Sequence, residues 1–257
     1  MGRSLILLSV LCVAVGAHVV SILSNSPADE QAHGEALELL WKERATMKPT
    51  PIYRIPLAGY PKVDIYFKNE TTTPTKTAKH RFAWALIFWA VTEGKITKDS
   101  HVFEGAPGSA AVAQAYFLQL IGIPYTAVVA YEIEPAKKEA LKRLGASIIE
   151  TDAPIRRRRA AEEAAKQPNS FFLNQAGNAA YADQFYDGDI EVASMHLLDE
   201  FISQLSAHGR PRVPEFFVHS ASTGAAISSA GRLVARRRLP PRTVLADPEF
   251  SLYHDYV

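Results

Sequence analysis

Cysteine is almost absent: one residue, Cys12, in a chain of 257. Since Cys12 lies inside an N-terminal stretch that reads as a cleavable leader, the mature chain is expected to carry no thiol. That excludes disulfide staples, thiolate catalysis and cysteine-ligated metal. Charge of one sign is not in excess either, with 28 Lys and Arg against 27 Asp and Glu and a formal net charge of +1. A balance this even offers no field to attract nucleic acid or an anionic membrane, and neither is assigned as a partner. After the leader no apolar run reaches transmembrane length, because charges, prolines or glycines interrupt each one. Repeats and low-complexity tracts are missing as well. The 8 histidines are scattered without ligand spacing, and no metal is assigned.

What is present is the composition of a globular α/β chain, 47% hydrophobic and 21% charged. Residues 1–17 read as a secretory signal peptide: Arg3 supplies the positive end, Leu5 to Val15 the apolar core, and Val15-Gly16-Ala17 a small-residue cleavage pattern. The expected location is therefore secreted or secretory-pathway lumen, with no membrane association after signal removal; an uncleaved anchor is the alternative. Residues 18–47 form a polar, helix-prone arm that packs on the domain or on a second subunit of a homodimer. From Thr50 onward strand-like and helix-like runs alternate. Strands are expected near residues 64–67, 101–104, 125–129, 147–150, 171–173, 216–219 and 244–246. Helices are expected near 79–92, 110–120, 135–144, 157–166, 190–206 and 225–237. Alternation with short connections predicts parallel sheets covered on both faces, with ligand sites at the carboxyl ends of strands.

The stretch from Lys68 to Gly94 joins a strand-like run, a turn-rich segment and an apolar helix that begins at Lys79. An ammonium at the edge of apolar walls is desolvated, which lowers its pKa and makes it a candidate covalent anchor. The octapeptide Pro74-Thr75-Lys76-Thr77-Ala78-Lys79-His80-Arg81 resembles the lysine motif of the pyridoxal-phosphate enzymes of the cysteine synthase and cystathionine β-synthase family. It is closest to their cysteine-desulfhydrase-like branch, where the motif reads Pro-Thr-Gly-Ser-Leu-Lys-His-Arg. Two further blocks follow in the family's order. Glu104 to Phe117 resembles the loop and helix that hold the substrate carboxylate, and Phe217 to Arg232 resembles the Gly-rich phosphate loop. The start at Thr50-Pro51-Ile52 and the run Asp247-Pro248-Glu249-Phe250-Ser251 match family patterns too.

The resemblance implies a three-layer, parallel-sheet α/β fold of the tryptophan synthase β type, with two sub-domains. Residues 48–80 and 185–257 would form the large cofactor domain, its C-terminal part missing, and residues 81–184 the small substrate sub-domain. It implies pyridoxal phosphate as cofactor and Lys79 as the catalytic residue. Ser109, Ser222, Thr223, Gly224, Ala225 and Ala226 would join Lys79 in binding the cofactor. Gly105, Ala106, Gly108, Ser109 and Gln175 would bind a small amino-acid substrate. The implied activity is that of a lyase or β-replacement enzyme of sulfur amino-acid metabolism. Both loops depart from the family. Ala106, Pro107 and Ala110 stand where hydroxyls are usual, and Ser222, Ala225 and Ala226 stand for glycine, glycine and threonine. The alternative these losses raise is a secreted, catalytically degenerate member that binds a small ligand or a partner protein. Two features stay outside the motif blocks. The basic runs Arg156–Arg159 and Arg236–Arg238 read as solvated helix faces, and Asn69-Glu70-Thr71 is an N-glycosylation sequon beside the expected cleft.

Overall fold

The computed structural model describes residues 26–186, 196–207, 213–247 and 249. The expected signal peptide and most of the 247–251 match lie outside them. Helix α1 (Pro27–Thr46) opens on a capping box: Ser26 Oγ accepts from the Asp29 N–H at 3.2 Å, and the Asp29 carboxylate accepts from the Ser26 N–H at 3.1 Å. The arm packs on its own chain, against α2 (Lys79–Thr92). Leu40 is fully buried, Trp84 Nε1 donates to its carbonyl at 2.7 Å, and Trp41 lies against Trp84 and Phe88. Arg44 caps the cluster with its guanidinium 4.4 Å above the Trp84 ring.

Helix α2 is buried along its whole length from His80 to Val91. A helix apolar on every side belongs at the centre of a domain, and α1, α3 (Gly108–Leu120) and α6 (Ala179–Tyr186) all pack against it. Beside it lies a four-stranded, all-parallel sheet in the order β5-β4-β3-β6, formed by β3 (His101–Gly105), β4 (Tyr125–Ala130), β5 (Ser147–Thr151) and β6 (Ser170–Phe172). Strand alternation sends Val102, Ala127 and Val129 into the core with α2 and α3, and turns Phe103 and Val128 towards α5 (Arg156–Ala165) on the other face. Helix α4 (Pro135–Arg143) packs against α3 and β5.

A second, smaller core of Leu198, Ala230 and Leu233 joins α7 (Leu197–Ala207) to α8 (Ala225–Arg237). Here β7 (Phe216–His219) and β8 (Arg242–Leu245) pair in parallel. Parallel strands are usually covered on both faces; this pair leaves Phe216, Val218, Val244 and Leu245 exposed.

The expected three-layer parallel architecture holds for the main sheet and is corrected elsewhere. Residues 52–56 form a strand that the sequence pattern did not announce: β1 (Ile52–Pro56) pairs antiparallel with β2 (Asp64–Lys68), Ile52 opposite Lys68 and Pro56 opposite Asp64. Only seven residues separate the two strands, too few for a parallel crossover and enough for a hairpin. The helix expected near 190–206 starts at Leu197 within the described residues, and the short α6 was not expected at all. Of the Arg156–Arg159 run, Arg158 and Arg159 pair with Glu162 and Glu163 one turn on, as a solvated face should, whereas Arg156 is partly buried with no partner for its Nε.

Candidate active site

The segment before α2 is rich in hydroxyls, and they fold it. Thr73 Oγ1 lies 3.0 Å from the carbonyls of both Glu70 and Thr77, which share its one proton, and accepts from the Thr77 N–H at 3.0 Å. Thr77 Oγ1 accepts from the Lys79 N–H at 3.2 Å. These bonds set the angle at which the chain enters α2, and so where the Lys79 side chain projects. His80, the next residue, points the other way into the core: its ring lies tilted against Phe117, centroids 4.7 Å apart, and burial drives its pKa down to about 3, with Arg81 and Arg44 adding to the shift. It is a neutral core histidine.

Lys79 Nζ donates to Ser222 Oγ at 2.9 Å across 143 residues of chain. Burial pushes the Lys79 amine below the usual lysine range. The loop it reaches, between β7 and α8, is a tight turn: Gly224 N–H donates to the Ala221 carbonyl at 2.8 Å, and Ala221 N–H donates to Asp247 Oδ1 at 3.1 Å. Gly224 takes φ +83°, which only glycine adopts without strain, and α8 then begins at Ala225 with no side chain capping it. Its first-turn amides and the positive end of its dipole face an anion-binding position. Ala78, Lys79 and Phe82 from the α2 side, Leu197 from α7, and Ala221, Thr223, Ala225 and Ala226 from the loop line a cleft with about 370 Å³ of empty space, part of it open to solvent. Sequon residue Glu70 borders the same cleft, while the Asn69 side chain is folded back onto Thr71, accepting from its N–H at 3.1 Å and its Oγ1 at 2.6 Å.

Lys79, Ser222, Thr223, Ala225 and Ala226 are thus brought together as the motifs implied. The candidate substrate residues are not among those lining this cleft; they gather at the carboxyl end of β3. Ala106 is fully buried in the main core, and Gly105 is a packing glycine, since a Cβ there would lie 2.5 Å from the Arg156 carbonyl oxygen. Gly108 opens α3 after Pro107, which supplies no side-chain cap, so the first-turn amides at Gly108 and Ser109 are left for a ligand. Gln175 is buried, its Oε1 accepting from Gln114 Nε2 at 3.1 Å and its backbone N–H donating to Glu104 Oε2 at 2.9 Å.

Ser222 is the residue whose departure from glycine has a visible cost. It sits at φ +55°, where an L-residue carries a penalty of about 1–2 kcal/mol. Glycine there would relieve the strain and lose part of the gain to the freer unfolded chain. Ser222→Gly is therefore expected to stabilise the fold by about 0.5–1 kcal/mol, a rise in melting temperature of roughly 1–4 °C. A fall in melting temperature would show that the serine hydroxyl outweighs the strain.

The donor set suits a molecule that carries both an aldehyde and a phosphate: a desolvated amine, two hydroxyls, and an uncapped helix start beyond a left-handed glycine. The chain belongs to the family of pyridoxal-phosphate dependent enzymes, which it matches over residues 44–256. Among its relatives is a Caenorhabditis elegans protein named for pyridoxal-phosphate dependence, 44% identical over 226 residues, 86% of this chain and 52% of that one. The L-cysteine desulfhydrase of Mycobacterium tuberculosis is 30% identical over 246 residues, 94% of this chain and 62% of that one. The chain therefore spans about half to three fifths of the length of these two relatives. The fold likewise matches the O-acetylserine dependent cystathionine β-synthase of Helicobacter pylori, with TM-score 0.67 and 22% identity over 82% of this chain and 67% of that one. It also matches a hydrogen sulfide-producing enzyme of Fusobacterium nucleatum, with TM-score 0.68 and 19% identity over 90% of this chain and 69% of that one.

Proposed function

We propose that the protein acts on cysteine, serine or an O-acetylserine-like amino acid, eliminating or replacing the group on the β-carbon. The observation that carries this reading is the Lys79 amine, desolvated and 2.9 Å from Ser222 on the loop at the start of α8. It is supported by the relative named as a cysteine desulfhydrase, which pairs with 94% of the chain. Pyridoxal phosphate, when bound, supplies the electron sink that makes a Cα–H bond of an amino acid breakable.

In this reading the hydroxyls of Ser222 and Thr223 and the amides of Ala225 and Ala226 hold the phosphate, aided by the helix dipole, while Gly224, its own amide engaged by the Ala221 carbonyl, shapes the turn. Lys79 Nζ anchors the cofactor, then takes the Cα proton and later returns it; desolvation lowers the amine pKa and so favours the free base that both roles need. Phe82 and Leu197 give the cleft its apolar wall beside that amine. The α3 amides at Gly108 and Ser109, with Gln175, hold the substrate carboxylate, and the β-substituent leaves with the bonding electron pair.

The test is sulfide release from L-cysteine by the purified chain at saturating pyridoxal phosphate. Sulfide is expected only with the cofactor present, and it should be lost in Lys79→Ala. A chain that takes up the cofactor on Lys79 yet releases neither sulfide from cysteine nor acetate from O-acetylserine would overturn the activity and leave a cofactor-binding protein.

A further inference from the structure

Glu104 occupies the fourth of the five positions of β3, one residue before the loop that leads into α3, and is fully buried. Its Oε2 accepts from the Gln175 backbone N–H at 2.9 Å; its Oε1 is one of three buried side-chain atoms among the described residues with no hydrogen-bond partner. Gln175 continues the contact inwards. Its Oε1 accepts from Gln114 Nε2 at 3.1 Å, and Gln114 Oε1 accepts from the Tyr125 hydroxyl at 2.8 Å. Four buried polar residues from β3, α3, β4 and the exit of β6 thus form one chain that ends on a carboxylate with an empty acceptor. A buried, half-satisfied carboxylate is costly, and such a group retained in a core calls for an explanation beyond packing.

We propose that Glu104 is a positioning residue for the amino-acid site: by accepting from the Gln175 amide it fixes the end of β6, and with it the glutamine assigned to the substrate carboxylate. This rests on the reading of Gln175 and the α3 start as the substrate site. The ionised carboxylate gives Gln175 a charge-assisted bond, roughly twice as strong as a neutral one. Protonation removes the charge and weakens that bond. Burial pushes the Glu104 carboxyl up to about 7, while the Gln175 and Gly105 amides and the Arg157 and Arg156 charges of α5 work the other way. Tyr125, facing it from β4, is itself held neutral by burial and by the Glu104 charge. The switch in Gln175 therefore falls in the neutral range, present above it and lost below.

Two measurements test this. In the wild-type chain, with no substrate added, the Gln175 backbone amide resonance is expected to titrate with a midpoint near pH 7 and to stay flat in Glu104→Gln, which keeps an acceptor oxygen and removes the charge. In the cofactor-loaded protein, L-serine binding is compared between wild type and Glu104→Gln, so that the titration of the ligand's own amine cancels. The wild-type affinity should gain on the variant by roughly tenfold from pH 6 to pH 8, as the competent fraction rises. A Gln175 resonance that does not move in the wild type, or moves identically in the variant, overturns the positioning role whatever the ligand result. A titrating resonance with equal affinity profiles overturns the link from Glu104 to the ligand and leaves the proposed substrate site standing. Absence of L-serine binding at every pH in a loaded wild type sinks the substrate site, and this inference with it.

Discussion

Borohydride treatment of the protein mixed with pyridoxal phosphate is expected to fix the cofactor on Lys79 alone, with the label found by peptide mass mapping. Capture of an aldehyde needs an unprotonated amine facing a cleft that holds the rest of the molecule. Among nearby lysines only Lys79 combines the two. Lys76, three residues earlier, is exposed at a left-handed φ of +57°. Lys68 is also depressed by burial, yet its ammonium donates to Glu200 Oε1 at 2.7 Å, the Thr50 carbonyl at 2.8 Å and Gln204 Oε1 at 2.9 Å, so its protons are held in place. Lys79 lies instead over the Ser222 loop, with burial as the one cause of its lowered pKa. Because the amine pKa is lowered, the reactive fraction at pH 7.5 is larger than for a surface lysine, and Lys79 should label fastest as well as most completely. Lys79→Ala should abolish labelling and reduce any elimination activity by roughly 10²–10⁴-fold, the range of a lost acid–base group. Lys79→Arg keeps the charge but cannot deprotonate, and it should behave like the alanine variant. A label on Lys76 or Lys68, or labelling that persists in Lys79→Ala, would remove Lys79 from the site.

The parts of this site written in one contiguous stretch were legible in the sequence. The bounds of α2 and α8 follow from apolar runs that start after turn residues, and Lys79 and the 222–226 loop were marked by motif. What could not be read was whatever depends on residues far apart. Glu104 was visible as the first residue of a family block, but the partner of its Oε2, the Gln175 N–H, lies 71 residues later. Strand β1 was hidden because Pro51 precedes it, Pro56 ends it and its residues from Tyr53 on are exposed, so no buried alternation marks it; its pairing with β2 makes it a strand. Gly105 looked like a ligand-binding glycine because it follows a strand and precedes a helix, and the reason for its lack of a side chain turned out to be α5. Glu70 had drawn notice only as the middle of a sequon, and Arg81 only as the last residue of a motif. Charged residues read as surface until a partner is found for them.

Those two form the centre of the strongest structural prediction. The Arg81 side chain is completely buried, its Nε 2.7 Å from Glu70 Oε2 and its Nη1 2.9 Å from Glu200 Oε2. Lys68 closes the group on Glu200 Oε1 at 2.7 Å, and Thr50 contributes its N–H to the same oxygen at 2.6 Å. Two cations and two carboxylates make a neutral cluster that ties the end of β2, the turn before α2, α2 itself and α7 together on either side of Lys79. Removing Arg81 leaves two buried carboxylates with one lysine between them, a loss that costs about 3–5 kcal/mol in buried pairs. Arg81→Met should lower the urea midpoint accordingly, and Arg81→Lys should recover only part of it, because an ammonium lacks the fork that spans both carboxylates. The pH dependence gives a sharper test. In the wild type, burial acts to raise the Glu200 pKa, but Arg81 and Lys68 outweigh it and the carboxyl sits below its usual range. Its stability contribution is therefore complete above the unfolded carboxylate range near pH 4–5 and is lost as pH falls through the folded value. Without Arg81 the burial effect prevails and the Glu200 pKa rises above its unfolded value. The folded variant then binds protons more readily than the unfolded chain, so its deficit relative to wild type should be largest at pH 7–8 and shrink towards pH 5. A deficit under about 1 kcal/mol at pH 7, or one that does not change with pH, would mean that water reaches the cluster and that its charges are screened.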